Sequence, residues 1–210
     1  ALSELSRINL NFLRQASITH ATQSHYAKEF CESLGLRTRY LSDYTIVDDR
    51  IVEDIDCRHN ILALNAGTKV IYNLDYIEGR LKELISDVEV VRLQGMSRVE
   101  VYELFSRSRL FIDLGNFPGK DRMVREAVML GTNAIICNSG AGASKVDFAL
   151  DDIYRADPSD INSALTLAAH MIRNPLSHSE NFTLIRSQVL QERLNFEKEV
   201  LCLFSKVSMN

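Results

Sequence analysis

The strongest constraint on this chain is a rhythm that begins at Ile61, where short unbroken apolar runs alternate with stretches whose apolar residues recur at helical spacing. Ile61 to Leu64 is the first run, and Ile71, Leu74, Ile77, Leu81, Leu84 and Ile85 then hold one face of a helix. The pair recurs as Val88 to Leu93 with Val99 to Phe105, the helix opened by Ser97 and Glu100 at capping-box spacing. It recurs again as Leu110 to Leu114 with Asp121 to Leu130, stopped by Gly131, and Asn133 to Cys137 is a fourth run. A strand covered on both faces reads as a continuous apolar run, and its parallel neighbour is reached only through a crossover, usually a helix. The chain is therefore expected to be α/β, with a Rossmann-like, doubly wound parallel sheet.

The flanks are less regular. Ser17 to Thr22 reads as a short strand, Ser24 as the cap of a helix from Tyr26 to Leu34 ended by Gly35, and Arg37 to Leu41 as an extended piece. Ser42 to Asn60 is acidic and irregular, as a connection between lobes would be. Beyond the sheet, Asp151 to Arg155 suggests one more short strand, and Ser159 or Asp160 caps a helix to Ile172 that Asn174-Pro175 terminates. A long last helix, about Glu180 to Ser205, carries an apolar stripe of Phe182, Ile185, Val189, Leu190, Leu194, Phe196, Val200, Leu201 and Phe204. Three regions follow: 1–59, a small β-α unit with the crossing; 60–174, the Rossmann-like lobe; 175–210, a helix packing back on them.

The formal net charge of -4, with acids and bases mixed along the chain, offers no surface for a nucleic acid backbone. No apolar stretch approaches the ~20 residues of a transmembrane helix. The opening residues lack the features of a signal peptide, so the expected location is the cytoplasm, with peripheral membrane association left open. Cys31, Cys57, Cys137 and Cys202 form no Cys-x-x-Cys pair, which reads as reduced thiols, several of them buried. Asp54-Ile55-Asp56 has the form of a metal-binding Asp-x-Asp, but it precedes a strand and reads as a surface loop. His20 and His25 are open as general bases, whereas His59, His170 and His178 read as structural.

In a doubly wound sheet, ligands bind beyond the carboxyl ends of the strands. The loop that runs from Asp113 into the helix through Glu126 lies there. Gly115 and Gly119 allow tight turns and close backbone approach. Lys120, Arg122, Arg125 and the open N–H groups of the first helical turn supply positive potential for a diphosphate. Glu126 can accept from two neighbouring hydroxyls, as a ribose presents. The same residues also suit a plain turn with a solvated helix start, Glu126 pairing with an arginine. Ser139 to Ala143 is a small-residue loop at the same edge, able to admit sugar or phosphate or to serve as a turn. Neither Gly-x-x-x-x-Gly-Lys-Ser/Thr nor Gly-x-Gly-x-x-Gly occurs, so an ATPase and a dinucleotide dehydrogenase are unsupported.

The stretch from Phe111 to Ala127 resembles the donor-site segment of a group of bacterial GT-B glycosyltransferase-like proteins, in which Asp-x-Gly-Asn-x-Pro-Gly-Lys-Asp-Arg precedes Arg-Glu-Ala. Leu93 to Val101, Gln23 to Ala27 and Leu41 to Tyr44 are similar to further segments of that group, the last two at the end of its acceptor lobe and its interlobe crossing. The resemblance implies a nucleoside diphosphate sugar as donor substrate, a glycan acceptor, and no cofactor or metal. Glu126 matches the second Glu of the Glu-x7-Glu motif, which holds the donor ribose. The first Glu falls at Pro118, so stereochemistry and catalytic competence stay open, and no catalytic residue is assigned. Lys69 matches a diphosphate-binding lysine, while Gly95 and Met96 fall where the base is met. The implied function is sugar transfer to a surface glycan by the donor half of the enzyme. The rival expectations are a non-catalytic nucleotide- or sugar-binding subunit, and a structural domain presenting its last helix to a partner.

Overall fold

The computed structural model describes residues 9–46, 54–67 and 72–205. Its centre is a five-stranded, all-parallel sheet of β3 (Ile61–Asn65), β4 (Glu89–Leu93), β5 (Leu110–Asp113), β6 (Asn133–Cys137) and β7 (Arg155–Ala156), in the order β4-β3-β5-β6-β7. The three inner strands β3, β5 and β6 are buried at every position, whereas the edge strand β4 is only partly so. That is why the inner strands read as unbroken apolar runs. The order reverses between β3 and β5, which places the switch-point crevice at their carboxyl ends.

The helices between these strands are α3 (Leu74–Leu84), α4 (Arg98–Arg107) and α5 (Arg122–Met129), with α6 (Ile161–Arg173) after β7. α6 packs on α3, and α5 packs on α4, as right-handed crossovers on two faces require. Local chemistry sets their starts. Ser97 and Glu100 form the expected capping box on α4, and Asp121 caps α5 by accepting from Met123 N at 3.0 Å. α3 begins later than its apolar period, because the Asn73 side chain accepts from Asp75 N and Tyr76 N. Ile71 itself lies outside the described residues.

Ahead of this lobe, the short α1 (Leu10–Leu13) precedes β1 (His20–Thr22), α2 (His25–Ser33) and β2 (Thr38–Tyr40). β1 and β2 pair in parallel as a sheet of two strands, and Ser24 caps α2 by accepting from Ala27 N. Asp147, buried in the main lobe, accepts from His25 N at 2.7 Å and Tyr26 N at 2.9 Å, so its carboxylate ties the α2 N-terminus to that lobe.

Two expectations are corrected at the carboxyl end. Asp151 to Arg155 is not a strand: Asp152–Tyr154 is a single 3-10 turn and β7 starts at Arg155. Arg155 turns its buried guanidinium back to the Phe148 and Leu150 carbonyls, bending the chain just before the sheet. The long last helix is present as α8 (Thr183–Phe204), after the short α7 (Leu176–Ser179) and a turn at Glu180–Phe182, but it does not carry the single apolar stripe expected. Its apolar residues fall on two faces: Phe182, Ile185 and Val189 are buried, Phe196 packs on Tyr44, while Leu190, Leu194, Leu201 and Phe204 are exposed. No helix among the described residues is long and apolar enough to cross a membrane.

Candidate functional site

The loop from β5 to α5 is shaped from both ends. Asp113, at the end of β5, accepts from Gly115 N at 2.9 Å and turns the chain. Phe117 is buried, and its carbonyl accepts from Ala141 N at 2.8 Å. A Cβ on Gly140, where φ is +55°, would lie 2.1 Å from the Phe117 oxygen. The small-residue loop of residues 139–143 is thus small because it seats Phe117, and it does not border the cavity described next. With Phe117 so held, residues 118–120 are delivered to the α5 N-terminus.

A cavity of about 540 Å³ opens there, within the range of small-molecule sites. It gathers Met96, Gly119, Lys120, Arg122 and Glu126 from the residues picked out in the sequence. Pro118 lines it too, at the position where the resemblance would have placed a carboxylate. Gly95 adopts φ +69° at the turn before α4 but is not part of the lining. Lys69 lies outside the described residues.

Glu126 is the best-defined group in the cavity. Although it is only 5% exposed, it borders the space directly. Its Oε1 accepts from Thr45 Oγ1 (3.0 Å), the Tyr102 hydroxyl (3.0 Å) and Arg98 Nη2 (3.3 Å). Oε2 has no partner among the described residues. Burial pushes the Tyr102 phenol up; the Arg98 hydrogen bond opposes this and the Glu126 carboxylate adds to it. Tyr102 therefore stays protonated and able to donate. The result is a carboxylate fixed by one oxygen and open at the other, which suits a ligand hydroxyl.

The basic residues divide sharply. Arg122 is exposed at the cavity and has no ion-pair partner among the described residues. Lys120 borders the cavity, but its ammonium lies 2.5 Å from Glu192 Oε1 on α8. Arg125, expected to face a diphosphate, is wholly buried and outside the lining. Its guanidinium pairs with Glu192 Oε2 at 2.6 Å and Asp43 Oδ1 at 2.9 Å. One helical residue is about 100° of rotation, so Arg125 and Glu126 leave α5 in different directions, and Arg125 meets α8. The open amides expected in the first turn of α5 are likewise reduced, since Asp121 occupies Met123 N.

Sequence reasoning assigned no role to Gln23, Thr45, Arg98 or Tyr102 and none to Asp43, yet all belong to the cavity or to its Glu126 anchor. Gln23, Asp43 and Arg98 lie in segments that carry the resemblance, which was the one available signal. His20 and His25 do not border the cavity: His20 bonds the Leu13 carbonyl and His25 stacks on Tyr40. Asp54 and Asp56 are exposed at the opposite, amino-terminal edge of the sheet. All four cysteines are free, and Cys137 alone of them is buried, fewer than expected.

Among solved structures, the fold is similar to a mutant of S. aureus TarM in complex with fondaparinux, alpha-GlcNAc-glycerol and UDP, with TM-score 0.63 and 11% identity. That match covers 84% of this chain and 43% of the TarM chain, so the chain spans less than half of that protein. AviGT4, a glycosyltransferase involved in avilamycin A biosynthesis, matches with TM-score 0.36 and 13% identity over 82% of this chain and 61% of its own. No family model and no curated protein sequence matches the chain. The fold is that of the GT-B glycosyltransferases, an α/β architecture with a parallel five-stranded sheet and a long carboxyl-terminal helix.

Proposed function

We propose that the chain binds a nucleoside diphosphate sugar in the cavity at the α5 N-terminus and serves as the donor half of a glycosyltransferase that builds a surface polysaccharide without a metal ion. The observation that carries this reading is Glu126, anchored through Oε1 and open at Oε2, in a cavity that Met96, Lys120 and Arg122 also line. A ribose diol on Oε2 would leave the diphosphate against Gly119, Arg122 and the positive end of α5, and the base near Met96. Arg122 and the positive end of α5 would stabilise the departing nucleoside diphosphate, the task a metal performs elsewhere. The TarM complex holds UDP, which makes UDP the first ligand to try.

A second reading, a nucleotide- or sugar-binding subunit without turnover, is favoured by one feature: Pro118 stands where the carboxylate near the sugar would be. Thermal denaturation of the 210-residue chain against UDP, GDP, ADP and their sugars tests both. At 100 times Kd a bound ligand adds about 2.7 kcal/mol of stability. Stabilisation with donor hydrolysis supports the transferase, stabilisation alone the binding subunit, and no shift with any nucleotide defeats the site.

A further inference from the structure

We infer that residues 42–46, which follow β2, form a strap that α8 clamps beside the cavity, and that through Thr45 this strap positions Glu126 for a nucleotide; the inference rests on the donor reading above, whose site it regulates. Each residue of the strap has its own hold. The Ser42 N–H and hydroxyl both donate to Glu199 Oε2, at 2.7 and 2.8 Å. Asp43 pairs with Arg125 at 2.9 Å, and the Tyr44 ring lies 5.2 Å from that of Phe196. The Thr45 hydroxyl donates to Glu126 Oε1 at 3.0 Å, and the Ile46 carbonyl accepts from Arg98 Nη2 at 2.8 Å.

The first half of the strap belongs to α8. Glu199 and Phe196 hold Ser42 and Tyr44 directly, and Glu192 holds Asp43 by way of Arg125. Those three helix residues recur at i, i+4 and i+7, one stripe that continues the buried Ile185 and Val189. The stripe turns from aliphatic to acidic and aromatic where the strap meets it.

The second half belongs to Glu126 and α4, and there Thr45 is the deciding donor. The Tyr102 hydroxyl accepts from Arg98 Nε and Nη2 at 3.1 and 2.6 Å. Its single proton is shared between Glu126 Oε1 at 3.0 Å and the Ile46 carbonyl at 2.9 Å. Arg98 reaches Oε1 only at 3.3 Å, from a side chain more than half exposed. The Thr45 hydroxyl has no other acceptor among the described residues, so it holds Oε1 and leaves Oε2 for a ligand. A strap released by α8 takes Thr45 with it, and the carboxylate loses the donor that fixes its direction. By linkage, a nucleotide on Glu126 favours the seated strap as much as the seated strap favours the nucleotide.

Titration calorimetry of the 210-residue chain with UDP, GDP and ADP tests the strap, together with hydrogen exchange at the amides of residues 43–46, which bound nucleotide should slow. Thr45→Val keeps the shape and removes the hydroxyl, and should weaken nucleotide binding by about fivefold, the size of one hydrogen bond. Thr45→Ser restores the donor and should bring Kd back to within about twofold. Glu199→Ala alters no residue of the cavity lining, yet should weaken binding by about threefold. Both lesions act through one bond, so the Thr45→Val/Glu199→Ala double variant should bind about as well as Thr45→Val alone. If Glu199→Ala fails to fold, Ser42→Ala removes the hydroxyl half of the same hold. Equal Kd in Thr45→Val and Thr45→Ser, an unchanged Kd in the α8 variant, or additive losses in the double variant overturn the strap while the donor site stands. Absence of any nucleotide binding by the wild-type chain overturns both.

Discussion

Arg125 and Glu126 are consecutive on α5, yet the first is sealed among Glu192, Asp43 and the Lys120 carbonyl while the second opens onto a cavity. The cluster around Arg125 balances its own charge, two cations against two carboxylates, although Asp43 and Lys120 also reach the cavity. The open one has a committed oxygen and an uncommitted one. The contrast separates what charged residues do for the fold from what they can do for a ligand, since a buried charge must find a fixed partner whereas a group at a cavity can keep one in reserve.

The largest effect should come from breaking the sealed cluster. Glu192→Ala leaves Lys120 and Arg125 buried without their shared carboxylate, and removing one partner of a buried pair costs about 3–5 kcal/mol. Urea denaturation measures it directly. A loss below about 1 kcal/mol, the range of exposed ion pairs, would mean that the cluster is wet and that Arg125 remains available to a ligand.

Next in size is the open group. Glu126→Ala should weaken nucleotide binding by roughly 10–100-fold, the range for hydrogen bonds to a charged group. Its stability cost should stay near 1–2 kcal/mol, because Arg98 is half exposed and can turn to water. Calorimetry with UDP and a denaturation curve on the same variant sharpen the comparison: the Glu192 variant loses mainly stability, the Glu126 variant mainly affinity. Equal losses of both in the two variants would erase the distinction.

The sheet and most helix starts could be read from the chain because their causes are local: an apolar run covered on both faces, Ser97 with Glu100, Asp121 before Arg122. The loop that borders the cavity was legible for the same reason. What could not be read is how Arg125 differs from Arg122, since the answer lies at Glu192, 67 residues away, and at Asp43 in the crossing. Glu192 itself stands on the inner face of α8, one turn after Val189 and two after Ile185, where an acid is expected only if a cation waits opposite. Thr45 and Tyr102 were hidden similarly: neither has meaning until the crossing is laid against α4 and α5.

A smaller effect belongs to a polar chain far from the cavity, buried at Tyr154 and His178 and exposed at its two ends. The arrangement in which Asn181 donates to the Tyr154 hydroxyl, Tyr154 to His178 Nδ1 at 2.9 Å, and His178 Nε2 to His170 at 2.8 Å requires a neutral His178. Burial, with His170 adding, holds the His178 pKa below its ordinary 6.5. The unfolded chain then binds a proton that the folded one resists, so stability is full above about pH 6.5 and falls as pH drops below it. Denaturation between pH 8 and 5 should show this decline, and His178→Gln should flatten it; an unchanged slope in the variant would place the acid sensitivity elsewhere.

The smallest effect should be on the outer face of α8, and it closes the comparison of sealed with open groups on apolar ground. Leu190, Leu194 and Leu201 are each more than half exposed, whereas Ile185 and Val189 on the same helix are buried. A leucine already in water has little transfer energy to lose, so Leu190→Gln, Leu194→Gln and Leu201→Gln should each change stability by no more than about 0.5 kcal/mol. Ile185→Ala, by contrast, opens a cavity in the core and should cost about 2–5 kcal/mol. The leucine variants thus ask whether the outer face matters to the isolated chain. If any of them destabilises the protein as Ile185→Ala does, that face is covered in solution, and concentration-dependent melting of the wild-type chain would reveal a second copy as the cover.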